Sequence, residues 1–213
     1  VYTDERKWLF STNDYDGKER VYIPTNAYAI LSGVANKPKQ VVNNIEKNET
    51  PVGYALFNHP LGEKYLANIG KMGTGDFAPY LLENGSVYSH GSQCFYLLAI
   101  AKLKDYELFN KVLNYVLPYK RDESQTGATS YTMTNCYQLI PSMYGRSAFA
   151  FLTGSVSMFE IIIYQGMFGI KYDLENLIID PCLPKDYQDA KVEFSYLDKK
   201  ITVQYEDSRF NKV

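Results

Sequence analysis

The feature that most constrains this fold is a change of hydrophobic period at Gly169. Before it, apolar residues recur three and four positions apart, as on one face of a helix. Ile23, Ala27, Ile30, Leu31 and Val34 do so in "IPTNAYAILSGVA", and Leu108, Val112 and Val116 in "DYELFNKVLNYVLP". After it, "IKYD", "LIIDP", "KVEFSYLD" and "KKITVQYED" come close to alternation, and "LDKK" reads as a hairpin turn. A chain that keeps its two periods in separate blocks packs helices together first and adds sheet afterwards. The expectation is a mainly α fold over residues 1–169 followed by a short β-sheet segment over 170–213.

Local signals set the expected boundaries. A helix over Ile23 to Ala35 has Pro24 in its first turn, where a missing N–H costs nothing. A shorter helix runs from Lys37 to Glu49, with Pro38 near its start. Residues 50–85 are rich in Gly and Pro, and a loop of that length is often functional. A helix over Val87 to Lys104 ends with Lys102 and Lys104, where positive charge favours the dipole. Asp105 reads as the N-cap of the next helix, which reaches Pro118. "MTNCYQLIP" reads as helical, "NDYDGKE" as a turn, and Gly145 to Gly169 as a loop feeding a long apolar helix closed by glycine. Helices in sequential pairs, joined by functional loops, suggest a helical toroid.

Hydrophobic content of 46% and charged content of 22% fit an ordinary globular protein. A net charge of −2 without a basic stripe argues against nucleic acid as a partner. Cys94, Cys136 and Cys182 are far apart, with neither a disulfide framework nor zinc spacing, so the expected home is a reducing cytoplasm and no metal is expected. The most apolar run, "MFEIIIYQGMF", carries Glu160 and is too short to span a membrane. "VYTDERKWLF" has neither an initiator Met nor a signal peptide and reads as the start of a piece of something longer. The excess of 20 Tyr over 1 Trp suits sheet faces and sugar-binding clefts alike.

Two places could hold an anion. In "ENGSVYSHGSQCFYLLAIA", His90 stands where a polar run enters an apolar helix. Helix N-termini favour anions, so His90 can donate to a phosphate or sugar hydroxyl; equally, it can be a packed helix-entrance histidine. In "FLTGS", Thr153 and Ser155 offer hydroxyls and Gly154 lets backbone N–H groups approach closely, although the same residues make an ordinary N-cap. His59, in "FNHP", reads as a loop residue. No spacing links either histidine to a nucleophile, and no spacing makes an acid/base pair of Asp76, Glu83 and Glu160.

Several segments together resemble a known family. "ENGSVYSHG" resembles the "ENGG-x-x-x-H" segment of the glycoside phosphorylases of glycoside hydrolase family 94, which include cellobiose, chitobiose and 1,2-β-oligoglucan phosphorylases. "GRSAFAFLTGSVSMF" resembles that family's "GRGGW-x-W-[LY]-TGS-A-x-W", and "LIIDPCLPKDY" its "L-x-I-DPC-[IL]-PKDW". "RVYIPTNAYAILSGVA" resembles its "R-x-[FY]-L-N-A-Q-x-W-A-[VI]-[IL]-SG-x-A". The resemblance runs in the right order from about residue 20 to about residue 205, and the DPC segment is the sharpest part of it.

The resemblance implies the C-terminal part of an (α/α)6 barrel with a flanking β-domain. It implies inverting phosphorolysis of a β-linked gluco-disaccharide or oligosaccharide to an α-glycosyl 1-phosphate. Inorganic phosphate is the co-substrate and no cofactor is needed. It implies His90, Thr153 and Gly154 as phosphate-binding residues and Glu83 and Asn84 as substrate-binding residues. The general-acid aspartate is expected upstream of Val1, so no catalytic residue is expected in this chain. Its expected partners are the rest of its own chain or a second copy. The chain departs from the family pattern at Ser86, where a glycine stands in the family, at Leu82, where a lysine is often found, and at Tyr28, Phe149, Phe151 and Met158, where tryptophans stand. These departures leave a non-catalytic or degenerate carbohydrate-binding homologue, or an inverting hydrolase of the same toroid class, open as alternatives.

Overall fold

The computed structural model describes residues 20–60, 85–150 and 153–206, together with the backbone of an antiparallel pair, β1 (Tyr2–Thr3) and β2 (Lys7–Trp8). The expected turn in "NDYDGKE" and residues 61–84, which include Asp76, Leu82, Glu83 and Asn84, lie outside the described residues. So do Phe151 and the side chain of Thr153.

Helix α1 (Ile23–Leu31) starts on Pro24 as expected and buries Ile23, Ala27 and Ile30. It stops short of Ala35 because Gly33 turns left-handed, at φ +79°, just past its end. Helix α2 (Pro38–Ile45) buries only Val41 and Ile45. The rest of the expected second helix is a 3-10 turn (Glu46–Asn48) and a strand, β3 (Glu49–Thr50), which pairs with β4 (Gly53–Tyr54). Asn48 accounts for the break. Its buried amide donates to the carbonyls of Val21 at 2.9 Å and Ala55 at 3.0 Å, serving backbone that helix packing would leave unpaired.

Two further expectations need correction. The expected helix from Val87 begins as a strand, β5 (Val87–Tyr88), passes through a π-helical turn (Ser89–Cys94), and becomes α-helical only as α3 (Phe95–Leu103). "MTNCYQLIP" is not helical: β6 (Cys136–Tyr137) lies between β5 and β7 (Ser147–Ala148) in a three-stranded antiparallel sheet. Pairing on both edges decides its conformation, and one of those partners, β5, is remote in sequence. The part before Gly169 is therefore helix and sheet together, and the fold is mixed rather than mainly α.

Helix α4 (Tyr106–Val116) is capped as expected, with the Leu108 amide donating to the Asp105 carboxylate at 3.1 Å. A short helix α5 (Glu123–Thr126) follows, and then α6 (Thr153–Ile161), which runs on into a π-helical turn (Ile162–Met167). One main core joins Ile23, Ile30 and Ile45 to Tyr96, Leu97 and Ile100 of α3, to Phe109 and Leu113 of α4, and to Ile162 and Met167.

Beyond Met167 the described elements are hairpins and a 3-10 turn, as the change of period predicts. Strand β8 (Ile170–Asp173) pairs with β9 (Asn176–Ile179), and β10 (Lys191–Tyr196) with β11 (Lys199–Gln204). Leu197 and Asp198 make the second turn with both φ angles positive, the geometry that matches strand twist. A clasp fixes the first hairpin to the helices. The Asp180 amide donates to the Gly169 carbonyl at 3.0 Å and the Cys182 amide to that of Met167 at 2.9 Å. Lys104, which ends α3, donates to the carbonyls of Asp180 and Pro181 at 2.8 and 3.0 Å and pairs with the Asp180 carboxylate. Gly169 has φ +68°, and a side chain there would collide with the Asp180–Pro181 backbone.

Candidate functional site

His90 sits in the π-helical turn between β5 and α3, half-buried. Such turns cluster at functional sites because they re-aim side chains that a regular helix would stack along one face. The imidazole lies between two rings. Tyr88 is stacked at 6.2 Å between centroids and 18° between planes, and Phe95 is tilted at 5.9 Å. Gly91 has no side chain to compete for the space that the Tyr88 ring occupies.

The head of α6 approaches the same imidazole. A Cβ on residue 154 would stand 3.2 Å from Nδ1 and 3.5 Å from Cε1 of His90, so glycine lets the ring rest against the main chain. The structure thus brings His90 and Gly154 together. Thr153 opens the helix beside them, and Ser155 is buried in the same turn, its hydroxyl without a hydrogen-bond partner. A helix N-terminus, the Gly154 N–H and a half-buried imidazole are groups able to donate to an anion.

The back of the π turn is held by residues that no motif marks. The Ser92 hydroxyl is shared between the carbonyls of Tyr88 at 2.5 Å and Tyr54 at 2.9 Å. The Gln93 side-chain carbonyl accepts from the Tyr54 amide at 3.3 Å. Gly53, at φ +119°, makes this possible, since a Cβ there would collide with that oxygen. The Tyr54 phenol donates to Glu46, as does the Tyr96 phenol at 2.6 Å, and Lys111 bridges Glu46 and Glu49 at 2.9 and 2.7 Å. Burial, and then the Glu46 carboxylate, push the Tyr96 phenol far above its ordinary pKa. Most of these contacts join residues 38 to 65 positions apart, with no repeating spacing from which sequence could find them.

The other sequence expectations fall as follows. His59 is in a loop and contributes its carbonyl, which accepts from Arg20 at 2.8 Å. Glu83 and Asn84 lie outside the described residues. Among the described residues, no group of three or more His, Cys, Asp and Glu is placed to hold a metal ion, and no helix is long and apolar enough to cross a membrane. The three cysteines are free and buried. Burial pushes the Cys94 and Cys182 thiols up to about 12.

Residues 1–169 match the family model described as the glycosyl hydrolase 94 superfamily, catalytic domain. The chain belongs to this family. Solabiose phosphorylase from Paenibacillus borealis is 28% identical over 207 residues, covering 92% of this chain and 26% of the relative. Cellobionic acid phosphorylase from Neurospora crassa is 28% identical over 189 residues, with coverage of 83% and 23%. 3-O-beta-D-glucopyranosyl-beta-D-glucuronide phosphorylase from Paenibacillus borealis is 26% identical over 203 residues, with coverage of 92% and 25%. The chain spans about a quarter of the length of these curated relatives. In this glycosyl hydrolase 94 chain, two of the departures from the family pattern, Tyr28 and Phe149, are exposed, and the Tyr28 ring leans on Phe95 at 4.8 Å. Ser86 is fully buried.

Proposed function

We propose that the chain is the C-terminal part of an inverting glycoside phosphorylase. The whole protein cleaves a β-glucosidic bond with inorganic phosphate and releases an α-glycosyl 1-phosphate. The observation that carries this reading is the meeting of the His90 imidazole with Gly154 at the head of α6. Two segments that each suit an anion face one another, and a phosphate needs donors converging from more than one direction. The names of the relatives, all phosphorylases, support the same reading.

In this mechanism His90, Thr153 and Gly154 hold the phosphate beneath the anomeric carbon. Phosphate is already an anion, so it needs no carboxylate base to activate it, and a nearby carboxylate would repel it. The general acid that protonates the leaving oxygen is an aspartate from the part of the family's chain that these 213 residues do not represent. Glu83 and Asn84 contact the sugar. Phosphate serves as co-substrate, and the chemistry leaves nothing for a cofactor to do. Residues 1–169 belong to an (α/α)6 barrel and residues 170–213 to a β-domain beside it. The barrel is completed by the rest of the same chain or by a second copy, with no part for nucleic acid or membrane. The cytoplasm suits a protein whose three cysteines are free.

The test is phosphate-dependent release of sugar 1-phosphate from β-linked disaccharides by the full-length protein, with His90→Ala beside it. A hydrogen bond to a charged group contributes roughly 1.5–3 kcal/mol, so His90→Ala should weaken apparent phosphate affinity by about 10–100-fold. Sugar binding should change far less. Unchanged phosphate kinetics in that variant would return His90 to a packing role.

A further inference from the structure

We propose that Ser92 and Gln93, acting on the main chain of Tyr54, are positioning residues that set the His90 imidazole for phosphate. This inference rests on the phosphorylase reading of the His90–Gly154 site. The main chain of Tyr54 is held on both sides of its Cα by neighbouring residues of the turn that carries His90: its N–H by the Gln93 side chain and its carbonyl by the Ser92 hydroxyl. The same hydroxyl reaches the carbonyl of Tyr88, whose ring stacks on His90. Ser92, Gln93 and Tyr54 are all fully buried, so water cannot replace these bonds. Tyr54 is itself held by its side chain. Its ring is edge-on to those of Tyr96 and Tyr115, and its phenol is bonded to Glu46.

Geometry gives the grip its purpose. Besides the Tyr88 and Phe95 rings, the His90 imidazole rests against Gly154, where an added Cβ would stand 3.2 Å from Nδ1. A π turn freed from Tyr54 would relax toward regular helix and rotate His90 about the helix axis, away from α6. Gly53 belongs to the same device. Its positive φ and missing Cβ admit the Gln93 side chain, which a Cβ at position 53 would displace. None of these residues touches the phosphate; each acts through the direction of the imidazole.

The experiment uses the full-length enzyme with His90→Ala, Gln93→Leu, Ser92→Ala and the double variant His90→Ala/Gln93→Leu. The conservative Ser92→Thr serves as rescue. Folded protein is quantified first, and kinetics are normalised to it. The clamp predicts that Gln93→Leu and Ser92→Ala each raise the phosphate KM roughly tenfold, the lower end of the range expected for His90→Ala, since each acts only through the direction of the imidazole. The glucoside KM should stay within about twofold, and Ser92→Thr should restore most of the loss. In the His90→Ala background, Gln93→Leu should add nothing to the phosphate KM, because residues that act as a unit are not additive. A purely structural role would lower the folded fraction without this split, or would add in the double variant; either result overturns the clamp and leaves the phosphate reading intact. If His90→Ala itself has no phosphate-selective effect, the site reading fails, and the clamp fails with it.

Discussion

Replacing Gly169 by alanine isolates the clasp between the helices and the first hairpin. Two costs add at this position. The left-handed conformation at φ +68° costs an L-residue about 1–2 kcal/mol. The new Cβ also meets backbone atoms of Asp180 and Pro181, which cannot swing aside as a side chain would. Relieving that overlap breaks the hydrogen bonds from Asp180 to Gly169 and from Cys182 to Met167, each contributing about 1 kcal/mol. The expected total is about 3–4 kcal/mol, well beyond an ordinary single substitution. Gly33 supplies the control, since it has a similar φ of +79° and nothing within 4 Å of its would-be Cβ. Gly33→Ala should cost only the conformational part, about 1–2 kcal/mol. Denaturant unfolding of the intact protein, with hydrogen exchange read at the Asp180 and Cys182 amides, separates the two. Equal losses at positions 33 and 169, or unchanged exchange at both amides in Gly169→Ala, would refute the steric argument.

Other outcomes follow from the same contacts. Lys104, through its hydrogen bond, holds the Asp180 carboxyl below the usual carboxylate range. The ion pair therefore stabilises the fold above the unfolded-state pKa of about 3.9 and is lost as pH falls through the lower folded value. Asp180→Asn should flatten the acid side of the stability profile below about pH 4, by a small amount because the side chain is half exposed. Asp105→Ala removes the cap on the Leu108 amide and should cost about 1 kcal/mol in thermal or urea unfolding. On the proposed phosphorylase reading, which puts the general acid outside these 213 residues, they should on their own release no sugar 1-phosphate from any β-glucoside, as loss of a general acid alone costs about 10²–10⁴-fold. Turnover by the isolated chain would place the acid within it.

Sequence was informative where neighbours decide structure. Pro24, the Asp105 cap, the "LDKK" turn and the strands after Gly169 all sit where short-range chemistry puts them. It misled where partners are remote. Cys136 and Tyr137 look like part of an apolar helix, yet their conformation follows from a nearby strand at Ser147 and a remote one at Val87. Helical spacing around His90 was right from Phe95 onward and missed the π turn, since an extra residue per turn leaves no trace in composition. His90 and Gly154 were visible as separate weak signals; their meeting was not, because periodicity within a segment carries nothing about which other segment it faces. The buried Ser92, Gln93 and Tyr54 look like any polar and aromatic residues, and only their burial singles them out.

The clasp also bears on the order in which the molecule assembles. The bond from Lys104 to Asp180 joins residues 76 positions apart, and Gly154 lies within the loop it closes. Closing a loop of that length carries an entropic cost that local helix contacts do not, so α3 and α4 can pair long before the hairpin latches. The head of α6 settles against His90 only within a loop whose ends are still finding one another. An early folding population should thus hold protected amides at Leu113 and Leu117 while Cys182 still exchanges, and it should be rich in helix with Gly154 not yet against His90.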